Sequence, residues 1–307
     1  MMKKLKFLII SIFLILFISG CIEDFTKKDQ KDQTGRVSGE NEALKLEVNY
    51  PEKVLPGQTF IIRVHLLNQV GRDIRNINLY FNNPYTLDII SVDNKNCQKD
   101  SYFASCHFDE MFYPSEIFVN FAVQAPTEEE LGSIERTLKP EMTLTYDFDG
   151  ETIFKIPIVK EGEEPEKAKM ELYQTPGPIH LKIERGVTSS EKEWELEGNI
   201  FGLVMKFEDV VNPASRITIE SDDTRIELTN LIVNESIGPC DDFKNVTENT
   251  LQLKRNETLP MSYNLACIVK AKEINEPWTY GIVRATYNYT YIVKWQGEIN
   301  VVKGITG

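Results

Sequence analysis

Residues 44–81 read LKLEVNYPEKVLPGQTFIIRVHLLNQVGRDIRNINLYF, and their apolar side chains recur at every second position. Leu44, Leu46, Val48 and Tyr50 alternate with Lys45, Glu47 and Asn49. After a Pro56-Gly57 turn, Phe60, Ile62, Val64 and Leu66 alternate with Thr59, Arg63 and His65. Successive side chains of a strand point to opposite faces, so this pattern describes half-buried strands joined by a tight turn.

The same grammar extends outward. Further strands are expected at 77–81, 87–92, 117–123, 142–146 and 153–159, with turns at Asn68…Gly71, Asn82-Asn83-Pro84 and Asp149-Gly150. Asp-Gly between TLTYDF and ETIFKIPI predicts a two-residue hairpin, and Pro157 predicts an edge position. Thr127, with Glu130 three residues on, predicts the capped start of one short helix in 127–138. Residues 161–169 (EGEEPEKAK) carry four Glu, one Pro and no large apolar side chain, which marks a linker. Beyond it, alternation resumes at 179–184, with strands expected at 193–207, 216–220, 225–233, 250–254, 261–270 and 281–295. The fold expected is all-β: two tandem antiparallel β-sandwich domains, 43–160 and 170–307, with a small polar contact between them.

The stretch from Leu44 to Phe81 resembles the immunoglobulin-like surface modules of archaeal and bacterial envelope proteins, including the cell-adhesion-related domain and its relatives in S-layer-type proteins. The resemblance covers about 40 residues of the first half and implies a sandwich of that kind. It implies no binding residue, and the second half lacks the Pro-Gly opening.

Ahead of this region lies a leader. Lys3, Lys4 and Lys6 precede an apolar run from Phe7 to Ile18, too short for a membrane span of roughly 20 residues and proportioned as a secretory signal. It ends in Ile18-Ser19-Gly20-Cys21, which resembles a prokaryotic lipobox. That resemblance implies removal of residues 1–20 and lipidation of Cys21; an uncleaved anchor helix is the alternative. Residues 21–42 lack hydrophobic periodicity and read as a flexible tether.

Apart from Cys21, four cysteines remain, two per half. Each half must close its own core, so the pairs expected are Cys97 with Cys106 and Cys240 with Cys267. Four Asn-x-Ser/Thr sequons, at Asn234, Asn245, Asn256 and Asn288, crowd into the second half and suggest glycosylation and, together with the lipobox, an archaeal source.

The 307 residues carry 47 acids against 34 bases, a net charge of −13, which argues against a nucleic-acid binder. Only three histidines occur, and His65, His107 and His180 lie in no catalytic arrangement legible from sequence. Asp147, Asp149 and Glu151 suggest calcium, but the residue at position twelve of an EF-hand-type loop is Ile158, so a turn is preferred. Glu191, Glu193, Glu195 and Glu197 alternate with Trp194 and Leu196 as a strand with an acidic outer face. Tyr287, Tyr289 and Tyr291 share one face, read as core rather than as a carbohydrate platform. No catalytic, metal or cofactor residues are expected. The expected role is a non-enzymatic lipoprotein on the outer face of the cell membrane, serving envelope structure, adhesion or assembly with other surface proteins. The alternative is an accessory lipoprotein that binds a sugar or peptide near the domain junction.

Overall fold

The alternation of the sequence becomes strands almost throughout. The structure, a computed structural model, describes residues 42–82, 87–132, 136–165, 168–186, 193–212, 217–233, 236 and 238–302. The leader, Cys21 and the tether up to residue 41 lie outside them. The first half contributes β1 (Leu44–Asn49), β2 (Lys53–Val54), β3 (Thr59–Asn68), β4 (Ile74–Asn82), β5 (Asp88–Val92), β6 (Cys97–Lys99), β7 (Phe103–Met111), β8 (Ser115–Gln124), β9 (Arg136–Leu138) and β10 (Glu141–Val159). The second contributes β11 (Glu171–Gln174), β12 (Ile179–Arg185), β13 (Glu195–Leu196), β14 (Ile200–Asp209), β15 (Thr218–Ile219), β16 (Arg225–Thr229) and β17 (Leu231–Ile232). It continues with β18 (Phe243–Thr247), β19 (Thr250–Leu253), β20 (Glu257–Thr258), β21 (Leu265–Ala271), β22 (Trp278–Gln296) and β23 (Ile299–Val301). The one helix among the described residues is α1 (Glu128–Leu131), closed by the capping box that Thr127 and Glu130 announce.

The chain is an all-β sandwich of mainly antiparallel sheets with an immunoglobulin-like layout. One four-stranded sheet runs β1-β3-β8-β5, and a second runs β12-β14-β21-β17. Both lie against a long sheet whose path is β18-β19-β16-β22-β10-β4-β7-β6. Along β3 the burial alternates as the sequence predicts, with Ile62, Val64 and Leu66 fully buried. Each such side chain contributes about 1.5–3 kcal/mol by leaving water.

Two expectations are corrected at the centre of the long sheet. Asp149-Gly150 makes no hairpin: β10 runs straight through it for 19 residues. It pairs antiparallel with β22 along its whole length, from Glu141↔Gln296 to Val159↔Trp278. The contact between the halves is therefore a shared sheet and not a small polar patch. The described residues, from 42 onward, belong to one compact unit. Pro157 does fall where one side of β10 is open, since β11 pairs only as far as Lys155 and β13 begins at Ile158.

Cys97 on β6 is bonded to Cys106 on β7, and Cys240 is bonded to Cys267 on β21. The sequence separations are 9 and 27 residues. On the loop-entropy account the longer loop is the more stabilising, about 3.6 against about 2.7 kcal/mol. Paired Cys→Ser variants measured by calorimetry are expected to follow that order. The Cys97/Cys106 variant melting lower would reverse it.

Candidate functional site

The outward face of the long sheet is set by parity. On β10 the even residues from Met142 to Ile158 are buried, so Asp147, Asp149, Glu151, Ile153 and Lys155 face out. On β22 the odd residues from Gly281 to Val293 are buried, so Trp278, Tyr280, Ile282 and Arg284 face out.

The three carboxylates suspected of binding calcium lie in a row here, each with its own partners. Asp147 accepts from Asn76 Nδ2 and Thr290 Oγ1, both at 2.6 Å. Asp149 takes Arg75 Nη2 at 2.7 Å. Glu151 sits between Arg284 Nε at 2.6 Å and Arg72 Nη2 at 3.3 Å. A strand spaces same-face neighbours by roughly 6.6 Å, too far for one cation to gather them. The row is a network of hydrogen bonds at Asp147 and ion pairs at Asp149 and Glu151.

Beside it, where the halves meet, the face turns aromatic. Tyr173 on β11, opposite Ile153, is 51% exposed, and Trp278 is 40% exposed. Lys155 Nζ lies 4.8 Å from the centre of the Tyr173 ring and 5.6 Å from that of Tyr280. The Trp278 and Tyr280 rings meet edge to face, 5.4 Å apart. Glu171 Oε2 lies 3.5 Å from Lys155 Nζ and accepts the Tyr173 hydroxyl at 2.7 Å. That hydrogen bond raises the Tyr173 phenol above its usual pKa and lowers the Glu171 carboxyl. On the other face of β11, a hollow of about 350 Å³ is lined by Phe154, Met170, Leu172, Ile183 and Arg185. Leu172 on its rim is 43% exposed. Apolar rings with polar groups set among them, on a paired sheet, offer stacking and hydrogen bonding in fixed positions.

Other sequence candidates fall elsewhere. Tyr287, Tyr289 and Tyr291 are buried core. The Tyr287 hydroxyl donates to Ile179 O at 3.2 Å, and Tyr291 bonds Asp209. Burial pushes the Tyr287 phenol up to about 12 and holds Tyr146 and Tyr289 well above their usual value. His65 stacks on Phe118 between Glu47 and Glu116, with nitrogen–oxygen distances of 3.1 and 3.0 Å. His107 bonds Asn78 and Asp109. His180 is held below its usual pKa by burial, and its Nε2 is buried without a hydrogen-bond partner. The three histidines share no site.

The acidic strand near 193–197 is a further correction. Glu195 is buried and paired with Arg185 at 3.0 Å, while Leu196 is exposed. Glu191 lies outside the described residues. Of the sequons, Asn245 is exposed on β18, at one end of the long sheet. Asn256 is exposed with its amide bonded to Glu220 and Ser221. Asn288 is half-buried on the outer face of β22, opposite Asp149, and Asn234 lies outside the described residues.

Sequence reasoning missed the aromatic patch. The signal exists, since Trp278 and Tyr280 share the parity of Asn288. A strand that starts at 281 leaves both rings out.

These sheets define an immunoglobulin-like β-sandwich protein. No protein-family model matches the chain, and no curated protein matches it. Among solved structures, the chain is similar to the Enterococcus faecalis MSCRAMM ACE, whose description says that it binds its ligands by the collagen hug model. The identity is 9%, over 86% of this chain and 96% of that one, at a TM-score of 0.23. The class rests on the strands themselves. No helix among the described residues is long and apolar enough to cross a membrane.

Proposed function

We propose that this chain is a non-enzymatic cell-surface lipoprotein, held on the membrane through Cys21, that makes an adhesive or envelope-assembly contact through the patch of Tyr173, Trp278, Tyr280 and Lys155. The observation that carries the reading is the exposure of these rings on a rigid sheet face. Exposed aromatic side chains that cluster are binding features far more often than isolated exposed apolar residues are. Replacing Tyr173 and Trp278 together by alanine is expected to weaken binding of the purified protein to envelope preparations by tenfold or more, with the melting temperature little changed. The rings are too exposed to be holding the core. Undiminished binding by that variant would remove the patch from the function. A second reading, capture of a sugar or peptide, is favoured by the hollow behind β11. Leu172→Arg would block the hollow, and loss of binding by that variant alone would move the site there.

The lipid anchor and the sugars are parts of the same proposal. Cys21→Ala is expected to move the protein from the detergent phase to the aqueous phase and to abolish the added lipid mass. Identical partition and mass for the two forms would refute lipidation. Among the described sequons, Asn245 is the best-placed acceptor, because it is exposed on a terminal strand, where a glycan would also shield the edge from pairing with another chain.

A further inference from the structure

The two halves repeat one connectivity. In the first, β1, β3, β8 and β5 form one sheet, while β4, the β6–β7 hairpin and β10 lie in the other. In the second, β12, β14, β21 and β17 correspond in order, while β16, the β18–β19 hairpin and β22 lie in the other. The short strands agree as well. β2, between β1 and β3, pairs in parallel with β23, which follows β22. β13, between β12 and β14, pairs in parallel with the end of β10. The long sheet reads the same from either end, and its midpoint is the pair Gly150↔Tyr287, the middle residue of each 19-residue strand.

An immunoglobulin-like module needs a strand G that normally turns back from strand F and lies beside it. Here the residues that pair with β4, Glu141–Asp147, are the F strand of the first half. The strand beside them is the last part of β22, from Asn288 to Gln296. In the second half the F strand is the part of β22 that pairs with β16, and the strand beside it is the last part of β10.

We infer that the chain is two copies of one module that have exchanged their G strands, crossing at Gly150 and Tyr287, so that neither half is complete without the other. Exchange of identical elements is a known route to dimers, and here both partners lie in one chain. A straight strand that replaces a hairpin turn is the expected trace of it, and the former turn lies at the crossing.

The test uses the full chain carrying a specific protease site within residues 161–165. After cutting under native conditions, the two pieces are expected to elute as one species of full mass. Thr145 and Ile292 lie directly opposite on β10 and β22. A Thr145→Cys/Ile292→Cys variant is expected to keep the cut pieces joined on a non-reducing denaturing gel. A further variant adds Gly-Asn after Asp149 and after Tyr287, which gives each half a loop long enough to turn its own G strand back without changing face. Its cut pieces are expected to separate into two folded species of half the mass. Separation of the cut parent chain, or absence of the disulfide link between positions 145 and 292 in the double-cysteine variant, would overturn the exchange. Cut insertion-variant pieces that stay together would overturn the claim that each half is a module able to close on itself.

Discussion

Replacing Gly150 by valine is expected to destabilise the fold by about 4 kcal/mol or more, among the largest effects available to a single substitution in this chain. A β-carbon at Gly150 would lie 2.2 Å from Cε2 and 2.5 Å from Cζ of the Tyr287 ring directly opposite. The ring cannot step aside cheaply. It is fully buried, packs edge to face on Phe207 at 5.0 Å, and has its hydroxyl bonded to β12. Even Gly150→Ala is expected to cost about 1–3 kcal/mol, the usual range for overpacking. Denaturant titration of the double-mutant cycle with Tyr287→Ala checks the cause. If the ring is the obstacle, Gly150→Ala becomes nearly neutral once the ring is gone, and the coupling is about 1–3 kcal/mol. An unchanged cost in the Tyr287→Ala background would mean that backbone freedom, not space, makes position 150 glycine.

That same position shows how far the sequence can be read. Alternation announces the strands, and α1 is legible because its cap is local. The straight run of β10 is also written in the sequence. Met142, Leu144, Tyr146, Phe148, Thr152, Phe154, Ile156 and Ile158 keep one parity through Asp149-Gly150. A two-residue turn sets Phe148 and Glu151 opposite each other on one face. Glu151, Ile153 and Lys155 would then face the core, and Phe154 and Ile156 the solvent. Turn chemistry at two residues thus competes with phase over seventeen, and burial decides for phase.

Other features cannot be read locally. Periodicity says which face of a strand is buried and nothing about which strand lies beside it. The β10–β22 pairing joins residues more than a hundred positions apart, so the acidic stretch 161–169 reads as a hinge between independent domains. Glu195 misleads for a similar reason: its neighbours alternate as in a surface strand, but Arg185 reaches it from β12 and a partly shielded pair forms. The patch is the mixed case. Trp278 and Tyr280 follow β22 parity, while Lys155 and Tyr173 join them only through the pairing of β10 with β22 and β11.

The core built around that pairing is expected to fail in alkali, cooperatively. Tyr146, Tyr287 and Tyr289 are buried, and burial raises the pKa of each phenol above the ordinary 10.0, Tyr287 to about 12. The unfolded chain loses these protons near pH 10 while the folded chain still holds them. The contribution of each phenol is therefore fully present below pH 10 and is lost as pH rises toward the folded pKa. For Tyr287 the loss is about 1.4 kcal/mol per pH unit between pH 10 and its folded value, and Tyr146 and Tyr289 act in the same direction. Tyrosinate absorbance and far-ultraviolet circular dichroism, followed together through alkaline titration, check this. The buried set should ionise in the same step that destroys the sheet signal. Tyr287→Phe, which cannot ionise, is expected to shift that step to higher pH unless loss of the bonds to β12 offsets the gain; stability at pH 7, measured alongside, separates the two terms. If every tyrosine titrates smoothly near pH 10 with the sheet signal unchanged, the row at 287–291 is not buried, and the paired centre of the fold is wrong.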